Sequence, residues 1–195
     1  MLGYFACAVI GYLLGCFSTG LIVTSHSGVD IRKEGSKSTG ATNVSRVMGL
    51  RHGVLTFMGD TLKGLISVLI GTWLMGRNGA LIAGLFTVIG HNWPVFYQFK
   101  GGKGIASSCG ILVYLFPIEA VIAFVLAVAV IFWLRYVSVG SLVLLTVVAL
   151  LSLFTRPFWP DAAFTLLLLV IGVWRHRANI QRLMQGKENK FSLKK

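Results

Sequence analysis

The feature that most constrains this chain is a succession of apolar runs, most of them near the length of a membrane-crossing helix, separated by short polar stretches. They lie at about Leu2 to Thr24, Val54 to Met75, Ala80 to Phe99 (interrupted at Pro94), Ile105 to Phe116, Ile118 to Leu134, Tyr136 to Thr155 and Ala162 to Trp174. A bilayer core takes ~20 apolar residues per untilted helix, and an α-helix satisfies its own backbone there. With 55% hydrophobic residues and a mean hydropathy of +0.79, one soluble core cannot accommodate the chain. The expected fold is all-α: a polytopic integral membrane protein of about seven transmembrane helices. The fourth and seventh runs are short, so they tilt, borrow flanking residues or stop at a polar cavity.

Leu2 to Thr24 is too long for a signal peptide and no Lys or Arg precedes it, which makes it the first span. Seven spans place the termini on opposite sides. With the amino terminus outside and the carboxyl terminus cytoplasmic, all of the 18 Lys and Arg fall inside except Arg77, Arg156 and Lys63, the last within the second span. The positive-inside rule selects that orientation. A net charge of +12 also invites a nucleic-acid reading. Here the charge is divided among short inside loops with no soluble domain to carry a groove, so no nucleic acid is expected. Membrane lipid and anionic substrates are the partners such loops suit. Cys7, Cys16 and Cys109 make no disulfide or metal pattern, and neither metal nor cofactor is expected.

Every rich polar stretch then falls on the inside. GSKSTGATN (35–43) gathers Ser36, Ser38, Thr39, Thr42 and Asn43, with Arg46 three residues on; hydroxyls, an amide and a guanidinium all donate to an oxyanion. The bland reading is a Ser/Gly-rich loop ending in a helix cap. GHNWPVFYQFKGGKG (90–104) places His91 and Asn92 before Pro94, which should bend or end the helix there. Gly101, Gly102 and Gly104 then permit close backbone approach and positive φ, so amides can converge beside Lys100 and Lys103, and the helix beginning at Ile105 adds the N–H groups of its first turn. The alternative is a charged turn between two helices, and for His91 a satisfied interfacial histidine. Asp60 and Lys63 are costly within a span unless paired or facing water, and at i, i+3 they can pair. RYVSVGS (135–141) adds Ser141. The tail, RHRANIQRLMQGKENKF (175–191), places His176 and Asn179 on one helical face, stops its helix at Gly186 and contains a single acid, Glu188. Glu119, Arg156, Phe158, Trp159 and Asp161 fall outside and read as interface anchors.

The motifs GSKSTGATNVSRVMG (35–49), GHNWPVFYQFKGGKGIAS (90–107) and HRANIQRLMQGKENK (176–190), with DTLKG (60–64) and RYVSVGS, resemble in order and spacing the bacterial acyl-phosphate:glycerol-3-phosphate 1-O-acyltransferases. The family usually has Gly and Asn where Lys37 and Ser38 stand. The resemblance implies a single transmembrane acyltransferase domain over 1–195, with cytoplasmic loops 25–53 and 98–104 and the tail 175–195 forming the active site. It implies transfer of an acyl group from acyl phosphate to the 1-hydroxyl of glycerol 3-phosphate, by a monomer in the bacterial cytoplasmic (inner) membrane. Ser36, Arg46, Lys103, His176, Asn179 and Glu188 are then the catalytic candidates, and Thr42, Asn43, Gly101, Gly102, Gly104, Ser141 and His91 the substrate-binding ones. FKGGKG, Lys103 and Ser141 would hold acyl phosphate, while Arg46, His176, Asn179 and Ser36 would hold glycerol 3-phosphate. His176, His91, Glu188 or the substrate's own phosphate would accept the hydroxyl proton.

Two other chemistries find little support. The His-x4-Asp pair of other glycerolipid acyltransferases is absent, since His26 and Asp30 are only four apart, and Cys109 has no neighbouring His to activate it. A transporter of a phosphorylated or anionic solute is the alternative function. It calls for repeated halves, and no second GSKSTGATN or FKGGKG exists.

Overall fold

Each apolar run folds as helix in a computed structural model that describes residues 1–191; the last residues of the expected tail, 192–195, lie outside the described residues. The helices are α1 (Leu2–Cys16), α2 (Thr19–Thr24), α3 (Ala41–Met48), α4 (Leu50–Asn92), α5 (Ile105–Leu115), α6 (Pro117–Leu134), α7 (Val137–Thr155), α8 (Trp159–Arg175) and α9 (Arg177–Met184). Among the described residues, Leu2–Thr24, Leu50–Tyr97, Pro117–Leu134 and Val137–Thr155 are the 4 segments long and apolar enough to cross a membrane. Packing groups the chain into two units, Met1–Leu115 and Phe116 onward.

In the first unit α4 doubles back on itself. Met75 (φ −142°, ψ 23°) and Gly76 (φ 60°, ψ −150°) leave helical geometry, so its two legs are the second and third apolar runs. The turn needs a residue tolerant of positive φ, and Gly76 supplies it. The α1 helix lies along the return leg in the same direction: a Cβ at Gly11 would collide with the Ala83 carbonyl, and one at Gly15 with that of Thr87. Small residues let these backbones meet where lipid offers no hydrophobic drive, and Thr87 Oγ1 donates to Gly11 O at 3.0 Å across the contact. The outgoing leg is antiparallel to α1, with Gly3 against Met75 and Gly59 against Thr19. Segments 25–49 and 93–104 therefore leave from the same end of this unit. One departure concerns the first run, which breaks at Phe17 (ψ 107°) and Ser18 (ψ 99°) rather than continuing to Thr24. Helix ends leave carbonyls without intrahelical partners, and the Lys63 ammonium takes two of them, Gly15 O at 3.1 Å and Phe17 O at 2.6 Å.

In the second unit α6 and α7 form a hairpin whose turn is Arg135, left-handed at φ 62°. The tail returns to that turn, the Phe191 N–H donating to Arg135 O at 2.6 Å. At the opposite end of the hairpin Phe158 and Trp159 are exposed, as expected of interface anchors, whereas the carboxylates Glu119 and Asp161 are internal. Glu119, 2% exposed, accepts Arg156 Nε and Nη2 at 2.7 Å each and Thr155 Oγ1 at 2.6 Å. The Arg156 guanidinium lies over the Phe116 ring, which stacks on Phe164 of α8. Burial of Glu119 follows from pairing, since a carboxylate enters an apolar environment only when its oxygens are matched.

Candidate active site

The loop before α3 is ordered by one side chain. Asn43, 1% exposed, accepts the Ser36 N–H at its Oδ1 (2.8 Å), and its Nδ2 faces the carbonyls of Ile31, Glu34 and Ser38 at 3.2, 3.0 and 2.9 Å. The amide expected to face a substrate is thus tied to the loop's own backbone, and holds Ser36 in place. Arg46, one turn on along α3, reaches the same Oδ1 at 3.5 Å and is half-buried, while Thr42 is exposed at the helix start. Lys37 holds a left-handed backbone, φ 57°, at a position where the resembled family usually has Gly.

At the end of α4 the chain behaves as Pro94 requires. The helix stops at Asn92, a short 3-10 turn follows at Val95–Tyr97, and Gln98 and Phe99 adopt φ 56° and 59°. FKGGKG then folds back on the helix end. Of its glycines only Gly104 uses positive φ (84°); Gly101 and Gly102 are needed for closeness, because a Cβ would strike the His91 carbonyl at the first and the His91 imidazole at the second. The Gly102 N–H donates to His91 O at 3.0 Å, so that amide secures the turn rather than joining an anion nest. Lys100 is exposed and Lys103 half-buried. The first-turn amides of α5 have no carbonyl partners within the helix, and its positive dipole end lies beside Lys103.

Beneath the turn, Lys63 Nζ stands 2.9 Å from Asp60 Oδ1 and 2.8 Å from His91 Nδ1, which is itself 3.7 Å from Asp60 Oδ1. Asp60 thus pairs with Lys63, as the i, i+3 spacing allows. Two groups here stand outside the expected site residues. Asn92 and Ser107, both 0% exposed, have side-chain polar atoms without hydrogen-bond partners, and a Cβ at Gly104 would touch the Asn92 amide at 3.2 Å. Buried polar groups of this kind cost about 1–3 kcal/mol unless something polar meets them. The only sequence signal for Asn92 was its place before Trp93-Pro94.

The second unit carries the remaining candidates. Glu188 Oε1 accepts Asn179 Nδ2 at 2.6 Å and Ser138 Oγ at 3.1 Å, and Oε2 accepts Arg182 Nε at 2.8 Å. Burial pushes its pKa upward, but the hydrogen bonds from Asn179 and Arg182, the Arg182 charge and the Ser138 hydroxyl outweigh burial and hold the carboxyl below its ordinary value. Glu188 is therefore a fastening, poorly suited to take a proton near neutral pH. Ser138 and Arg182, its other two partners, were not singled out from sequence. Ser141 Oγ donates to Val137 O at 2.9 Å in the first turn of α7. His176, 2% exposed at the joint of α8 and α9, donates from Nδ1 to Gly172 O at 2.8 Å. A carbonyl only accepts, so the neutral ring carries its lone pair on Nε2.

Residues 5–186 match the family model described as glycerol-3-phosphate acyltransferase. A protein of that name from Thermoanaerobacter sp. (strain X514) is 44% identical over 191 residues, covering 96% of this chain and 95% of the relative. One from Halalkalibacterium halodurans is also 44% identical, over 196 residues, with 96% and 95% covered. Among solved structures, PlsY, an integral membrane glycerol 3-phosphate acyltransferase, matches in its glycerol 3-phosphate form with a TM-score of 0.92 at 34% identity, covering 97% of this chain and 96% of that one. Its lysophosphatidic acid form matches with a TM-score of 0.89. On sequence and on fold alike, this chain belongs to the glycerol-3-phosphate acyltransferase family.

Proposed function

We propose that the protein transfers an acyl group from acyl phosphate to the 1-hydroxyl of sn-glycerol 3-phosphate, giving lysophosphatidic acid and inorganic phosphate, the first step of bacterial phospholipid synthesis. The observation that carries the acceptor and the product is the match to PlsY, whose two forms are named for glycerol 3-phosphate and lysophosphatidic acid. The acyl-phosphate donor rests on the resemblance of the three motifs. A multi-pass monomer in the inner membrane fits, with seven crossings, the amino terminus outside and both substrates engaged at the cytoplasmic side. An acyl chain needs apolar helices beside it and glycerol 3-phosphate arrives from the cytosol. The transporter alternative loses ground, because the curated relatives described above are named acyltransferases.

In the proposed reaction the 1-hydroxyl oxygen bonds to the acyl carbonyl carbon, the carbon–oxygen bond to phosphate breaks, and phosphate departs with the electron pair. Acyl phosphate is already activated, so positioning two anions and stabilising the oxyanion carry most of the acceleration. In this reading Lys103 with the FKGGKG turn and Ser141 hold acyl phosphate, and Arg46, Ser36, His176 and Asn179 hold glycerol 3-phosphate. This reading implies a single acyltransferase domain over residues 1–195. Of the three side chains considered as proton acceptor, Glu188 is saturated with donors and His91 Nδ1 faces the Lys63 ammonium, so His176, whose neutral ring carries its lone pair on Nε2, is the one this reading favours. The phosphate of glycerol 3-phosphate is the other acceptor. The test is purified protein with acyl phosphate and glycerol 3-phosphate, followed by phosphate release and lysophosphatidate formation. Lys103→Ala and Arg46→Ala should each lower kcat/KM at least ~100-fold, the scale of losing an oxyanion donor, without changing thermal stability. Wild-type rates in both variants would reject these assignments, and no product from the wild type would reject the donor.

A further inference from the structure

Lys63 is the most deeply placed cation of the first unit, and its proton inventory is closed. An ammonium has three protons and no lone pair. Three acceptors meet it: Gly15 O, Phe17 O and His91 Nδ1, at 3.1, 2.6 and 2.8 Å. Asp60 Oδ1, at 2.9 Å, supplies the countercharge. His91 Nδ1 must therefore carry its lone pair toward Lys63, and the neutral ring's proton resides on Nε2. Nε2 is the atom against which Gly102 packs, with no room for a Cβ between them, while the His91 carbonyl accepts the Gly102 N–H.

We propose that Lys63 is a positioning residue for the substrate anion: by donating to His91 Nδ1 it fixes the ring with its proton on Nε2, and so sets both the seat of the FKGGKG turn and a donor edge beneath it. Asp60 completes the device by neutralising a charge that the span would otherwise exclude. Lys63 thereby ties three elements to one point, the broken end of α1, the outgoing leg of α4 and the last turn of its return leg. The inference rests on the reading that FKGGKG and Lys103 hold acyl phosphate, and the experiment separates the two.

The full chain, labelled with 15N-histidine in detergent micelles, reports the tautomer directly through the Nδ1 and Nε2 shifts, with His91→Gln identifying the resonances of His91. The wild type should show His91 protonated on Nε2. Lys63→Met should abolish that preference, and Asp60→Asn/Lys63→Met, which leaves no buried charge unpaired, should do the same in a chain that stays folded. The double variant should also raise KM for acyl phosphate about 10-fold, as loss of a supporting hydrogen bond around a site does, with kcat within about 3-fold. A purely structural Lys63 would change stability and leave both the tautomer and the KM of the folded fraction alone. A wild-type His91 protonated on Nδ1 overturns the proposal whatever the kinetics, and so does an Nε2–H tautomer that survives in the double variant. A switched tautomer with unchanged KM overturns the coupling if Lys103→Ala still raises KM. If Lys103→Ala is also silent, the assignment of FKGGKG to acyl phosphate has failed and takes the proposal with it.

Discussion

Glu188→Gln separates a fastening from a general base, and the geometry gives the size of the effect. The wild-type carboxylate receives three donors, from Asn179 (2.6 Å), Arg182 (2.8 Å) and Ser138 (3.1 Å). Its side chain is 5% exposed and that of Arg182 is 32% exposed. Glutamine keeps the shape but turns one acceptor into an NH2 that must face a donor. One charge-assisted hydrogen bond is lost and the partner left behind is poorly met, which together cost about 2 kcal/mol once the partial exposure of Arg182 is allowed for. For a chain of 195 residues that corresponds to a fall in Tm of roughly 4–8 °C. The sign with pH follows from the lowered pKa of Glu188. A carboxyl whose folded pKa lies below its unfolded value of ~4.3 stabilises the fold above that value, and the contribution disappears as pH falls through the folded pKa. Wild type and Glu188→Gln should therefore differ most near neutral pH and converge as pH falls through the lowered folded pKa. In activity, the variant should lose affinity for glycerol 3-phosphate through a displaced Asn179, with kcat within ~10-fold of wild type, because no proton transfer is removed. A kcat loss of ~1000-fold at unchanged Tm would refute this and restore Glu188 as the base.

Two further outcomes concern stability. At Lys37, where φ is 57°, glycine relieves a left-handed strain of ~1–2 kcal/mol but adds freedom to the unfolded chain, so Lys37→Gly should match or exceed wild-type Tm while Lys37→Val lowers it; equal Tm in both variants would dismiss the strain. At the other end of the second unit's hairpin, Glu119→Gln breaks a buried pair with Arg156 and should destabilise by about 3 kcal/mol, partly recovered by Glu119→Gln/Arg156→Met, with the specific activity of the folded fraction unchanged; a loss of turnover without loss of Tm would show that Glu119 has a chemical role.

Much of the architecture was legible because it is written in local pattern. Pro94 ends α4 two residues upstream, the second apolar run stops at Met75 where the helix turns, and Gly186, at φ 66°, follows the end of α9. Periodicity and breakers are properties of neighbouring residues and need no knowledge of the fold. What escaped depends on contacts between distant residues. Ser138 and Glu188 are 50 positions apart, Glu119 and Arg156 are 37, and Lys63 reaches Gly15 across 48. The break in α1 at Phe17 and Ser18 has no proline to announce it, and its exposed carbonyls become tolerable only because an ammonium 48 residues later meets them. Asn43 shows the same limit in the functional residues. A run of Ser, Thr and Asn around glycines is rightly read as rich in anion-binding groups, yet the backbone claims the amide before any ligand does.

The two histidines carry this one step further. His91 and His176 both enter from sequence as candidate proton acceptors, each a lone imidazole beside a basic motif. Their neighbours make them chemical opposites. An ammonium at Nδ1 leaves His91 with Nε2 as donor, and a carbonyl at Nδ1 leaves His176 with Nε2 as acceptor. The acyl transfer proposed above has a use for each, a donor where negative charge collects on the oxyanion and leaving phosphate, and an acceptor where the hydroxyl gives up its proton. The tautomer of each ring is set by the group behind it, Lys63 for one and the Gly172 carbonyl for the other. That is why the residues worth mutating next stand one hydrogen bond removed from those that the motifs advertise.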